Sequence, residues 1–184
     1  MESKETKIVF AAQKLFFRHG LKKVSMSDIA EASELSRPSL YAVFANKEAV
    51  ITALLNMHIE KNHEETLKRL SSQKNLRGQL ECLFKIWIID PFASAIDTDG
   101  GKEMMETISD YAPEAFAIVY LDFEKYVVEL LKPHVKPGSE MNAKDLAHIL
   151  TMATKGLKAS SNSVAELKRL VDGLVGMTMA VLGT

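Results

Sequence analysis

The stretch from Ser25 to Lys47, SMSDIAEASELSRPSLYAVFANK, constrains this chain more than any other. Ser25 is placed to cap a helix, with Asp28 three residues on, where an acidic side chain reaches back to the cap's N–H. Helical register from there turns Ile29 and Ala30 inward and Asp28 and Glu31 outward. Glu34-Leu35 breaks the pattern. Ser36 then caps a second helix, with Arg37 and Pro38 in its first turn, where a proline costs no intrahelical hydrogen bond. Leu40 and Phe44, spaced i, i+4, fill a small core and leave Arg37, Ser39, Tyr41, Ala42 and Val43 on other faces. Two short helices joined by so tight a turn form a helix-turn-helix, whose second helix can enter the major groove of DNA.

Around this hairpin the chain reads as about nine helices and no strands. The first spans about Lys4 to His19, with Ile8, Ala11, Ala12, Leu15 and Phe16 on the stripe of a half-buried helix, and Gly20 stops it. After the hairpin, Asn46 caps a fourth helix carried to about Leu70. Its roughly 24 residues rise about 36 Å, enough to link a small head to a second body. A fifth helix runs from about Leu76 to Asp90, where Pro91 is expected to end it. A sixth covers about Gly101 to Ser109. Asp110-Tyr111-Ala112-Pro113 starts the seventh, with Pro113 in its first turn, and Pro133 ends it. Asn142 starts the eighth, striped by Leu146, Ile149, Leu150, Ala153 and Leu157. Ser163 and Glu166 form a capping box for the ninth. At 184 residues, one or two domains are expected.

Composition narrows the function classes. The net charge is −1, but the first 48 residues hold 8 Lys and Arg against 6 Asp and Glu, and the remainder 15 against 18. The modestly basic end is thus the hairpin end, the expected DNA side. Cys82 is the only cysteine, so no internal disulfide forms. Its apolar run LECLFKIWII suggests a buried thiol. Met1 to Thr6 is polar, with no leader pattern behind it. The weakly polar run Gly173 to Gly183 is too short to span a bilayer. A cytoplasmic location follows as the expectation, with no membrane partner. No HExxH, GxGxxG, P-loop or GxSxG run occurs. His58 and His63 are five apart, a poor metal pair. Asp97-Thr98-Asp99-Gly100-Gly101 lacks the ligand spacing of a calcium loop. Neither an enzyme nor a cofactor is expected.

The run DIA at Asp28 to Ala30, LS at Leu35-Ser36 and SLYAVFANKEAV at Ser39 to Val50 resemble the N-terminal DNA-binding domain of the tetracycline-repressor (TetR) family. KLFFRHG before them is similar too. The resemblance spans Ile8 to about Leu55. It implies an all-α fold, with a helix-turn-helix DNA-binding domain over 1–48 and a larger helical effector-binding and dimerisation domain over 49–184. It also implies a dimeric regulator, a repressor of a palindromic operator released by a small-molecule effector. Helix three would be the recognition helix. Arg37 would donate to guanine, Pro38 would pack on a thymine methyl, and Tyr41 and Lys47 would hold phosphates. Ser25 and Ser27 would bond phosphates as well, and Ser36 and Ser39 lie on the same surface. Three positions depart from the family pattern. Glu34 stands where glycine is usual, in a turn that wants positive φ. Val43 replaces a polar or aromatic residue. Ser27 replaces a longer basic one.

In the body, Phe84, Trp87, Met104, Met105, Ile108, Phe116, Tyr120 and Phe123, with Leu55 and His58, could line an apolar effector pocket; the same list describes a filled core. Helix nine carries Gly173, Gly176 and Ala180 beside Leu170, Leu174 and Met177, and helix eight carries Ala153 and Gly156. Glycine within a helix costs about 1 kcal/mol relative to alanine. Several together suggest close backbone approach, either within the chain or at a homodimer interface in which helices eight and nine pair with their symmetry mates. A helical small-molecule-binding protein without operator specificity is the alternative reading of the whole chain.

Overall fold

The computed structural model describes residues 3–183, all helix and connecting turns without a strand among them. Its nine helical stretches are α1 (Lys4–His19), α2 (Met26–Ala32), α3 (Arg37–Tyr41), α4 (Lys47–Leu70), α5 (76–96), α6 (Gly101–Tyr111), α7 (Pro113–Leu131), α8 (Ala143–Ser160) and α9 (Val164–Leu182). The starts follow side-chain chemistry close to them. Ser3, Asn75, Asn142 and Ser163 each accept a backbone N–H of the first turn that would otherwise lack a partner. Asn46 does the same for Ala49 at 2.8 Å. At α9 the reciprocal bond of the expected capping box shifts by one residue, because Glu166 accepts from Asn162 N–H.

Two expectations are corrected. Pro91 does not end α5. The stretch runs on as Leu76–Phe84 in α geometry, Lys85–Ile89 in π geometry and Asp90–Ile96 in α geometry. The wider π turn moves the carbonyl that a proline ring would meet, and Pro91 falls in the first turn of the following segment. Ile149 was expected on the buried stripe of α8 and is 52% exposed. The buried face is instead Leu146, Ala147, Leu150, Thr151 and Thr154. Both threonines bury without penalty because each hydroxyl donates to the carbonyl four residues back. That rotates the stripe away from Ile149.

The chain divides into two compact units, Met1–Glu60 with Ser94–Ala117, and Lys61–Ala93 with Ile118–Thr184. The expected boundary at residue 48 lies in the first turn of α4. The first unit buries Ile8, Ala12, Phe16, Leu21, Ile29, Leu40, Val50 and Ile51 completely. The second closes around Leu80, Leu83, Phe84, Trp87, Phe123, Val127, Leu167 and Val175, with α9 packed against α8 and α5. Cys82 is buried there as a free thiol. No helix among the described residues is long and apolar enough to cross a membrane.

Candidate nucleic-acid interface

The hairpin is built from local bonds. Ser25 N–H donates to Asp28 Oδ2 at 2.7 Å, and Asp28 N–H returns to Ser25 Oγ at 3.3 Å, closing the expected capping box on α2. The Ser25 hydroxyl and backbone bonds hold the Asp28 carboxyl below its usual range. At the far end, Leu35 N–H bonds Ala30 O and Glu34 N–H bonds Glu31 O, both at 2.9 Å. This is the paired closure of a Schellman motif, whose linking residue must be left-handed. Glu34 occupies that position with φ +55°, the only non-glycine residue of positive φ among those described. The sequence departure from glycine is therefore met by strain rather than by a different turn. Glu34 Oε2 lies 2.6 Å from Lys7 Nζ on α1; that bond lowers the Glu34 pKa.

Ser36 Oγ accepts from Ser39 N–H and starts α3. Leu40 and Phe44 are buried. Arg37, Pro38, Ala42 and Val43 are exposed, as is Tyr41, 45% accessible. Arg37 forms no ion pair among the described residues, so its guanidinium is available. The Ser36 and Ser39 hydroxyls lie 2.9 Å apart. Ser25 donates its hydroxyl to Asp28 at 2.7 Å and would have to release it to bind a phosphate. Ser27 is exposed.

Lys47 has a more defined place than its sequence context suggested. Its ammonium donates to Leu21 O at 2.7 Å and Val24 O at 3.1 Å, and it lies 5.0 Å from the centroid of the Tyr111 ring. It thus ties down the loop that leads into α2. The same loop is held from α6, where Glu103 Oε2 accepts from Leu21 N–H at 2.6 Å. Gly100 N–H donates to Phe17 O at 2.8 Å. A side chain at Gly100 would strike the backbone of Gly20, itself left-handed at φ +83°. Sequence reasoning missed Glu103 and Tyr111. Each lies more than sixty residues from its partner, and no periodicity marks it.

The expected effector residues fall in both units. Leu55, His58, Met104, Met105, Ile108 and Phe116 belong to the first; Phe84, Trp87, Tyr120 and Phe123 belong to the second. His58 Nε2 is 3.0 Å from Gln13 Nε2. Phe84 and Phe123 meet edge to face at 5.1 Å. Trp87, 1% exposed, donates to Thr66 Oγ1 at 2.9 Å. Lys155 sits over the Tyr120 ring at 4.6 Å, and burial pushes the Tyr120 hydroxyl up to about 12. Beside Trp87, His63 bonds Tyr126 at 2.9 Å and Asp122 at 3.0 Å, a cluster that no spacing along the chain marks. No group of three or more His, Cys, Asp or Glu side chains could hold a metal ion among the described residues.

On α8 and α9 a face of the second unit is apolar and uncovered. Ile149 and Met152 are exposed on α8, and Met177 and Val181 on α9, the last two at 62% and 59%. Gly156, Gly173 and Ala180 are exposed as well, while Ala153 and Leu170 are half-buried. A side chain at Gly156 or Gly173 would meet nothing within 4 Å, and one at Gly176 only the Arg77 guanidinium at 3.9 Å. These glycines therefore do not serve close packing inside the chain. Leu174 is buried in its own unit and stands apart from this face.

Residues 8–54 match the family described as bacterial regulatory proteins, tetR family. The transcriptional repressor ComR of Escherichia coli (strain K12) is 27% identical over 180 residues, 91% of this chain and 83% of ComR. The fold is similar to that of the fatty acid degradation regulator FadR from Bacillus halodurans, with TM-score 0.74 and 17% identity over 100% of this chain and 96% of that one. It is also similar to a chain from Saccharomonospora viridis solved in complex with choline, with TM-score 0.74 and 17% identity over 94% and 95%.

Proposed function

This chain belongs to the tetR family of bacterial regulatory proteins, a DNA-binding transcriptional regulator, and we propose that it is a homodimeric repressor released from a palindromic operator by a small-molecule effector. The observation that carries this reading is α3. A doubly capped helix-turn-helix presents its second helix outward, with a guanidinium at its start that has no ion pair among the described residues and a half-exposed tyrosine at its end. Arg37 donates to guanine O6 and N7. Ser27, Ser36, Ser39, Tyr41 and Lys47 hold the backbone and set register. Residues 1–48 carry these contacts, and 49–184 carry effector binding and dimerisation.

The uncovered face of α8 and α9 supports the dimer. Ile149, Met152, Gly156, Gly173, Met177 and Ala180 meet their symmetry mates, and glycine allows the helices to close. Two recognition helices then reach half-sites about 34–36 Å apart or a multiple of it. For the effector we assign Phe84, Trp87, Tyr120 and Phe123 of the second unit, an aromatic set suited to an apolar ligand. The ligand shifts the equilibrium only by its differential affinity for the DNA-competent and released states. The test is selection of bound sequences from a random duplex pool, with and without cell extract. A palindromic consensus that is lost on adding extract is the expected result. Enrichment of no sequence would overturn the reading.

A further inference from the structure

We propose that the groove between α1 and α4 is a second small-molecule site, built for an amphipathic organic cation and placed in the unit that carries the helix-turn-helix. It encloses about 590 Å³, inside the range of about 300–1,000 Å³ usual for small-molecule sites. All its lining residues belong to the first unit, so it is distinct from the aromatic set assigned to the effector above. The cavity follows from the sequence of α4. Ala49, Thr52 and Ala53 line it, spaced i, i+3, i+4 on one helix face, and all three are too short to fill the space.

The lining is apolar where it is buried and acidic where it is exposed. Val9 and Phe44 are buried and Met57 is half-buried, while Glu5 and Glu60 are exposed. Neither carboxylate forms an ion pair among the described residues, and no lysine, arginine or histidine among them lines the groove. An anion would meet two like charges with no counter-charge. A small hydrated cation would leave the apolar floor uncovered. A cation with its own apolar surface satisfies both. Its charge faces Glu5 and Glu60, its body covers Val9 and Phe44, and the flexible Met57 adapts to its outline. Occupancy also reaches α3. Phe44 walls the groove, and its N–H bonds Leu40 O at 2.9 Å in the turn that closes the recognition helix. A ligand pressed on Phe44 therefore bears on α3, and by linkage ligand and operator change each other's affinity by the same factor. That consequence rests on the operator reading above; binding in the groove does not.

The test is isothermal titration calorimetry of the full-length protein with tetraphenylphosphonium and with tetraphenylborate, ions of nearly the same size and apolar surface but opposite charge. The phosphonium should bind, and the borate roughly tenfold more weakly. Glu5→Gln and Glu60→Gln should each weaken phosphonium binding about threefold, and roughly tenfold together, with the loss shrinking at high salt. Ala53→Leu, which puts a side chain into the cavity, should abolish phosphonium binding while leaving the circular dichroism unchanged. Equal affinity for the two ions, or phosphonium binding that survives Ala53→Leu, overturns the site. If neither ion binds, the small-molecule reading fails and the groove is left to a helix of another protein. On a duplex obtained by selection, saturating phosphonium should change operator affinity by about fivefold or more in wild type and not in Ala53→Leu. An unchanged affinity in wild type removes the link to α3. If no duplex is selected, the operator reading fails while the calorimetric result stands, so the two readings fail separately.

Discussion

Glu103 Oε2 accepts the backbone N–H of Leu21 at 2.6 Å, joining residues 82 positions apart. Leu21 is fully buried, so its N–H has no water to fall back on. Removing the carboxylate leaves a buried donor unsatisfied, at a cost of about 1–3 kcal/mol. Glu103→Ala should lose that much stability in urea denaturation, and Glu103→Gln, which keeps an acceptor, less than half of it. Equal losses would mean that the bond contributes little.

Glu34 holds a left-handed backbone that glycine adopts freely. Its ion pair with Lys7 is largely exposed, with side chains 43% and 81% accessible, and offsets little of the strain. Glu34→Gly should therefore raise Tm by about 2–4 °C. A fall in Tm would show that the Lys7 pair outweighs the strain.

Arg37 and Lys47 should separate specificity from affinity. Arg37→Ala should cost about 1–3 kcal/mol on the best duplex and relax preference at one base pair per half-site. Lys47 spends two of its three N–H groups on Leu21 and Val24 and keeps one for a phosphate. Lys47→Ala should thus destabilise the fold and also weaken all duplexes alike. It should flatten log K against log[salt] by roughly two units for a dimer. Lost stability with an unchanged slope would make Lys47 a positioning residue for the loop and nothing more.

Gly173 faces open space within its own chain. Gly173→Leu should leave the subunit folded by circular dichroism yet weaken dimerisation at least tenfold in sedimentation equilibrium, because a bulky side chain holds the paired helices apart. Unchanged dimers would place the interface elsewhere.

Asp122 supplies a pH dependence of known sign. Burial alone would raise its carboxyl, but the bonds from Lys125 and His63 outweigh burial and hold it below the ordinary 3.8. A depressed folded value contributes stability that is fully present above the unfolded value and is lost as pH falls through the folded one. The stability gap between wild type and Asp122→Asn should be constant above about pH 5 and shrink below the ordinary value of 3.8. A gap that stays constant down to pH 2 would contradict the assignment.

The helix-turn-helix was legible because its determinants are local. Ser25 with Asp28, and the Ser36 cap, act over three or four residues, so spacing announces them; the left-handed turn at Glu34 was expected from the family resemblance, because a glutamate carries no such signal of its own. The helix starts at Asn46, Asn75, Asn142 and Ser163 follow for the same reason. What no local pattern carries was decided by tertiary structure. The grip of Glu103 and Tyr111 on the loop before α2 joins residues more than sixty positions apart. The passage of α5 through Pro91 depended on a π turn that no residue type demands. The outward turn of Ile149 followed from which face of α8 the second unit could bury once its threonines had satisfied their own hydroxyls. Capping and periodicity are written in neighbouring residues. The choice among faces, and the partner of a buried N–H, exist only once distant segments have packed.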